Sequence, residues 1–388
     1  MYNIIILGLT SLLTDISSEM VYPLIPLYLT ARLGATPAIV GLIEGIAESL
    51  ASLLKVFSGY WSDKVGRRKP LAIAGYSSST LGKVFLFFSA SWLGVLWGRV
   101  ADRFGKGIRT APRDALIAES SDPEKLGRAY GLHRAMDTLG ASIGVILGYY
   151  FLTTYRGDFR PVFLFALVPA VLGVAVLFLA REQKREVSLT RRPPSLNWWA
   201  LDARLRAFLV VVFLFTLGNS SNQFLLLRAK NLGFSDTTVI LLYLTYNLVY
   251  SFFSYPAGRV SDRLGRRSVL VAGHLAYALV YLGFAVVSHP TALWYLFGLY
   301  GLYSAFTEGV EKALVAEIAP SEQKATLIGL HATLVGIGLL PASLLAGLLW
   351  NLFGPRAPFY FGSLMAALAA LGLYLVLGGP RPAAQRQG

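Results

Sequence analysis

The stretch GYWSDKVGRRKPL at residues 59–71 returns as GRVSDRLGRRSVL at 258–270, with Asp63 and Asp262 standing 199 residues apart. A second pair repeats at an offset of 198, where ALIAESSDPEKLGRAYGLH at 115–133 matches ALVAEIAPSEQKATLIGLH at 313–331. Charged and turn residues match as well as apolar ones, so the halves of the chain read as copies of one unit. Each copy carries the same short charged turn between two long apolar segments.

The surroundings of that turn set the class. Of 388 residues 55% are hydrophobic and only 14% charged, and the mean hydropathy is +0.57. That is too apolar for a soluble domain and points to a membrane protein. No cysteine is present, which excludes disulfides, thiolate metal sites and a cysteine nucleophile. The N-terminal MYNIIILGLTSLLTDISSEM lacks a basic leader and a small-residue cleavage site, so it reads as a retained first membrane segment. Scanning with a window of about 20 residues gives apolar segments at 4–31, 37–61, 70–90, 93–118, 127–153 and 161–180, then at 207–227, 237–258, 268–287, 291–317, 325–352 and 358–377. The fold expected is all-α and integral to the membrane, with 12 transmembrane helices in two pseudo-symmetric six-helix bundles. The bundles span 1–180 and 207–378, the basic connector REQKREVSLTRRPPSLNWWALDARLR spans 181–206 with Pro193-Pro194 inside it, and a tail covers 379–388.

Orientation follows from the loops. The side that holds both termini and the connector carries 20 Lys and Arg between segments, against 6 on the other side. By the positive-inside rule both termini are expected in the cytoplasm, as in a multi-pass protein of the cytoplasmic (inner) membrane. This bias accounts for the net charge of +14 without a nucleic-acid partner.

The pattern G-x-x-x-D-x-x-G-R-R, met by Gly59, Asp63, Gly66, Arg67 and Arg68 and again by Gly258, Asp262, Gly265, Arg266 and Arg267, resembles the signature loop of the major facilitator superfamily. The resemblance covers nearly the whole chain, including the 6+6 repeat and the central connector. A further motif, an arginine in the fourth helix followed by Gln-Gly, is approximated by Arg103, Lys106 and Gly107, with lysine where glutamine is usual. Gly140, Gly144 and Gly148 keep the glycine spacing of the exporters' fifth-helix motif, with Val145 in place of its proline. The resemblance to drug/proton antiporters implies alternating access, proton coupling and efflux of amphipathic compounds.

The residues themselves suggest how such a machine would work. An acidic side chain at a helix C-terminus opposes the helix dipole unless a cation answers it. Asp63 with Arg67 and Glu119, and Asp262 with Arg266 and Glu317, are therefore expected to form a conformational latch beside Gly59 and its repeat mate. An ionisable residue near the bilayer centre costs about 2.5 to 3.5 kcal/mol and needs a partner, a wet cavity or a role. Asp15 and Glu19, and Glu44 and Glu48, are i,i+4 pairs on single helical faces and are candidates for proton coupling, or else for structural pairing with Arg109, Arg113 or Lys55. Candidates for solute binding are Arg103, Arg109, Arg113, His133, Arg134 and Asp137 in the first half. In the second half they are Asn219, Asn222, Gln223, Tyr246, Glu308, Glu311, Lys312 and His331. The reversed order of Arg113-Asp114 and its repeat mate Glu311-Lys312 leads to an expectation of attraction between the halves.

No motif calls for a cofactor or a metal, and the one lysine flanked by glycines, Lys106, lacks the spacing and hydroxyl of a phosphate loop. The function expected is therefore not enzymatic. It is secondary active transport of a small organic solute by a monomer, with protons and membrane lipid as the other partners and coupled export as the direction. The alternatives are an importer or uniporter of an anionic metabolite, which the intramembrane arginines favour, and a membrane-embedded acid/base enzyme built on His133, Asp137 and Glu308.

Overall fold

The structure is a computed structural model and describes residues 2–65, 67–121, 126–182, 199, 201–318 and 324–376. Within these, the side chains of Asp63, Asp262, Lys312 and Glu317 lie outside the description, as does most of the 181–206 connector. The described residues form fourteen α-helical segments, and two of these complete broken helices, which leaves twelve. They are α1 (Tyr2–Val21), α2 (Pro37–Val65), α3 (Lys69–Phe88), α4 (Trp92–Glu119), α5 (Leu126–Thr154) and α6 (Phe159–Leu177). The second half has α7 (Ala203–Gly218), α8 (Asp236–Leu264), α9 (Arg266–Val286), α10 (Ala292–Ile318), α11 (Lys324–Phe353) and α12 (Ala357–Val376).

Nine helices among the described residues are long and apolar enough to cross a membrane by length and composition alone. The three outside that set are α2, α4 and α10. In α4 the cause is membrane-depth charge, with Arg99, Asp102, Arg103, Lys106 and Arg109 along it, and α2 carries Glu44 and Glu48. Such helices stay in the membrane because their charges face protein rather than lipid.

Two breaks shape the centre. Pro23 and Pro26 cannot donate to the helical ladder, and α1 gives way to a 3₁₀ turn at Tyr22–Leu24, a short turn at Ile25–Leu27 and a π turn at Tyr28–Arg32. In α7 the run Asn219-Ser220-Ser221-Asn222 interrupts the helix, which resumes at Gln223–Asn231. Short polar side chains there compete for backbone hydrogen bonds.

Close helix contacts are made by glycine. Along α5, a methyl group on Gly140, Gly144 or Gly148 would overlap the α1 backbone at Leu12, Ile16 or Met20. Across the halves, α2 and α11 interlock in the same way, with Gly41 against Ser343, Gly45 against Leu340 and Gly347 against Ala38. Ser49 Oγ donates to the Gly336 carbonyl at 2.6 Å in that contact.

The halves seal on the side opposite the termini. Leu24, Ile25 and Leu27 of the broken first helix and Phe224, Leu225 and Leu226 of the resumed seventh belong to one dry core. Toward the terminus side, Arg134 of α5 is 66% exposed although it bridges to α8, and Glu308 is also exposed. The cleft between the halves opens on the terminus side.

Candidate functional site

The cleft has a charged wall from the first half. Asp15 and Glu19, four residues apart on α1, line one pocket together with Lys83 of α3 and Arg99, Asp102, Arg103, Lys106 and Arg109 of α4. Most of these charges are paired across helices. Arg99 grips Glu44 through both guanidinium nitrogens at 2.6 and 2.9 Å, Arg103 meets Glu48 at 2.8 Å, and Lys83 meets Asp102 at 3.4 Å. Asp102 also stands 3.5 Å from Arg99 and 3.6 Å from Arg103. Both arginines lie over the Tyr22 ring, 5.5 and 5.9 Å from its centroid. Bidentate Arg–carboxylate pairs fix geometry as well as charge, so the unwound Tyr22 turn is held against α4.

Nearer the terminus side, Arg109 donates to Ser79 Oγ and sits 4.5 Å from the Tyr76 centroid. Arg113 binds its neighbour Asp114 at 2.9 and 3.0 Å and reaches Ser11 Oγ at 3.3 Å, while Ser11 donates to Asp137. Asp137 is also 3.7 Å from Arg134 and within hydrogen-bond reach of Asp15. His133 is buried beside this chain, and its Nε2 finds no hydrogen-bond partner among the described residues.

The second half supplies an aromatic wall. Tyr243, Tyr246 and Tyr300 form a run of rings with centroids 5.9 and 5.3 Å apart, and Tyr246 stacks on Tyr250 at 6.2 Å. The break in α7 feeds this wall, since Asn222 Oδ1 accepts from Tyr300 at 2.8 Å and Asn219 Oδ1 from Tyr277 at 3.2 Å. Gln223 is fully buried, and neither amide atom has a hydrogen-bond partner among the described residues.

Two bridges join the walls. Tyr243 donates to Glu19 at 2.9 Å. Arg134 donates to Tyr250 at 3.3 Å, and Tyr250 in turn donates to Glu308 at 2.9 Å.

Several expected placements change. Glu44 and Glu48 are held by Arg99 and Arg103, while Arg109 and Arg113 are engaged with Ser79 and Asp114. The expected attraction between Arg113-Asp114 and Glu311-Lys312 involves the Lys312 side chain, which lies outside the described residues; the described contacts run within each half. Arg113 and Asp114 bind one another, and the Glu311 carboxylate lies 3.8 Å from His274 and 3.6 Å from His331 of its own half. At the signature loop, Gly59 packs on Ala111 of α4 and Arg67 is exposed. One partner of Glu119 among the described residues is Arg68, at 3.1 Å. In the second copy, Gly265 takes φ +84, the left-handed turn that glycine allows, and Arg266 opens α9. The residues missed are Lys83, Arg99 and Asp102. Their signal was in the sequence, since ionisable groups inside apolar segments are functional or paired by default.

Two broken helices facing a charged cleft between two six-helix halves define a multi-pass membrane transporter. The chain belongs to the Major Facilitator Superfamily, whose profile matches residues 7–227 and 207–388. It is 39% identical over 382 residues to an MFS-type transporter of Methanocaldococcus jannaschii, covering 96% of this chain and 94% of that one. It is 27% identical to the multidrug resistance protein MdtH of Sodalis glossinidius, over 91% of this chain and 88% of the relative. Among solved structures, the nucleoside transporter NupG superposes with a TM-score of 0.82 at 12% identity, covering 98% of this chain and 100% of that one. A bacterial homologue of the lysosomal transporter Spinster, captured inward-facing and occupied, superposes with a TM-score of 0.75 at 17% identity, over 97% and 96% of the two chains. These two likenesses concern the fold.

Proposed function

We propose that this transporter couples proton movement to the export of a small organic solute by alternating access, acting as a monomer in the cytoplasmic membrane with both termini in the cytoplasm. The observation that carries the coupling is the position of Glu19. It lines the pocket and also accepts the bond from Tyr243 that joins the two halves. A hydrogen bond to an ionised carboxylate is roughly twice as strong as one to a neutral group. A proton arriving on Glu19 therefore weakens a contact between the halves and alters the pocket charge in one event. Asp15, one turn away, shares the pocket and adjoins Asp137. The MdtH relatives support the direction, and the 20 to 6 bias in basic loop residues supports the orientation, in which the open cleft faces the cytoplasm. The repeated loop, with Arg68 and Glu119 paired beside Asp63, then acts as a latch that closes this mouth in the alternate state.

The test is flux in proteoliposomes, using a solute selected because it raises the protein's melting temperature. Asp15→Asn or Glu19→Gln is expected to abolish flux driven by a pH gradient while solute counterflow continues. Equal loss of both activities in both variants removes the coupling role. A second reading, passage of an anionic metabolite, is favoured by one specific feature, the Lys106 ammonium in the pocket wall, which makes no direct ion pair with a described residue.

A further inference from the structure

The pocket is graded along its length. Lys106 and Arg109 stand toward the open, terminus side, and Val21, Ile25 and Leu86 line the deep end near the seal. Its cations are not equally satisfied. Lys83 has Asp102, Arg99 has Glu44 and Arg103 has Glu48. Arg109 has only neutral partners among the described residues, the Ser79 hydroxyl and the Tyr76 ring. Lys106 lies in the pocket wall, where its ammonium makes no direct hydrogen bond or ion pair with a described residue and has Glu48 and Asp15 as the opposite charges around it. An ammonium group in a confined site without a direct partner carries a desolvation cost that a bound anion offsets. At the deep end the charges, Lys83, Asp102 and Arg99, are paired within the protein. Val21, Ile25 and Leu86 present aliphatic surface there, continuous with the Tyr22 ring, which packs 5.6 Å from Tyr243 of the other half.

We infer that the transported solute is an amphipathic organic acid, its carboxylate held by Lys106 with Arg109 behind it and its apolar body lying against Val21, Ile25 and Leu86. This inference rests on the proton-coupled transport proposed above and is independent of its direction. It also gives the coupling a sign. Asp15 and Glu19 line the same pocket, and an anion beside two carboxylates is repelled unless they carry protons. Acid and proton therefore bind together and travel the same way, so export on this reading runs down the solute's own outward gradient and carries protons out with it.

The full-length protein in detergent can be melted with 2-naphthoate, with 2-naphthylmethylammonium and with acetate, since a ligand of the native state raises the melting temperature by mass action. Naphthoate is expected to raise it, while the ammonium compound and acetate leave it unchanged. Lys106→Gln breaks no direct ion pair with a described residue, so it is expected to melt close to the parent without ligand. It should need roughly tenfold or more naphthoate for the same shift, the usual effect of losing a hydrogen bond to a charged group. Lys106→Arg should retain most of the shift. The inference is overturned if the ammonium compound stabilises in place of naphthoate, if no probe shifts the melt, or if Lys106→Gln leaves the naphthoate titration unchanged. Repeating the titrations at two pH values with Glu19→Gln separates this inference from the coupling beneath it. Naphthoate binding with no pH dependence in the parent keeps the acid and removes the coupling. Ammonium binding whose pH dependence vanishes in Glu19→Gln keeps the coupling and removes the acid.

Discussion

At the 198-residue offset of the repeat, Ser79, Lys83 and Asp102 of the first half correspond to Tyr277, Tyr281 and Tyr300 of the second. In the first half these positions hold an ion pair of 3.4 Å. In the second they hold stacked rings, with Tyr277 and Tyr281 centroids 4.0 Å apart and Tyr300 6.1 Å from Tyr281. The positions correspond in sequence, yet one wall is built from charges and the other from phenols. The difference teaches that the repeat keeps a position and leaves its chemistry free. Carboxylates can exchange protons near neutral pH, whereas phenols ordinarily carry no charge to exchange there. In this account the first half performs the coupling and the second provides an aromatic surface that the first can grip or release.

The largest expected effect comes from breaking a charge pair. Glu44 is fully buried, and its ion-pair partner among the described residues is Arg99. Arg99→Met is expected to destabilise the protein by about 3 to 5 kcal/mol, because it leaves a buried carboxylate uncompensated. The double variant Arg99→Met with Glu44→Leu should recover most of that, and thermal unfolding in detergent measures both. If the single change costs no more than the double, the charged wall is not a network of mutual dependence. The corresponding change in the aromatic wall should be milder. Tyr300→Phe removes the bond to Asn222 but keeps the ring contacts, and should cost about 0.5 to 1.5 kcal/mol. A loss as large as that from Arg99→Met would erase the distinction between the walls. The smallest effect is expected at the terminus-side rim, where Glu119 is about a third exposed in its pair with Arg68. Glu119→Gln should change stability by only about 0 to 1 kcal/mol. Spin-label distances across that mouth should nonetheless broaden if the pair belongs to a latch, and an unchanged distribution makes it a surface anchor.

Much of the architecture was legible in the sequence, because a repeated loop, twelve apolar segments and a one-sided excess of basic residues each have a direct physical meaning. The pairings were not. Spacing of four residues places Glu44 and Glu48 on one face of α2, but their partners lie on α4, and nothing along one helix tells which residue of another will meet it. Arg99 was passed over for Arg109 and Arg113, which lie farther toward the terminus side and are engaged elsewhere. The break in α7 also escaped an apolar scan that ran through 207–227. Its polar residues were recognised, but their role in ending the helix at Gly218 was not. Only the packing of α7 against Tyr277 and Tyr300 makes that unwound turn a fixed part of the site.

The division of labour between the halves can be tested at one pair of glutamates. Glu19 stands in the charged wall, and Glu311 stands between two histidines inside the second half. In proteoliposomes, 2-naphthoate flux and internal pH can be followed together for Glu19→Gln and Glu311→Gln. The account predicts that Glu19→Gln moves naphthoate with no accompanying pH change, while Glu311→Gln still moves acid and protons together. Proton movement that persists in Glu19→Gln and disappears in Glu311→Gln would contradict it.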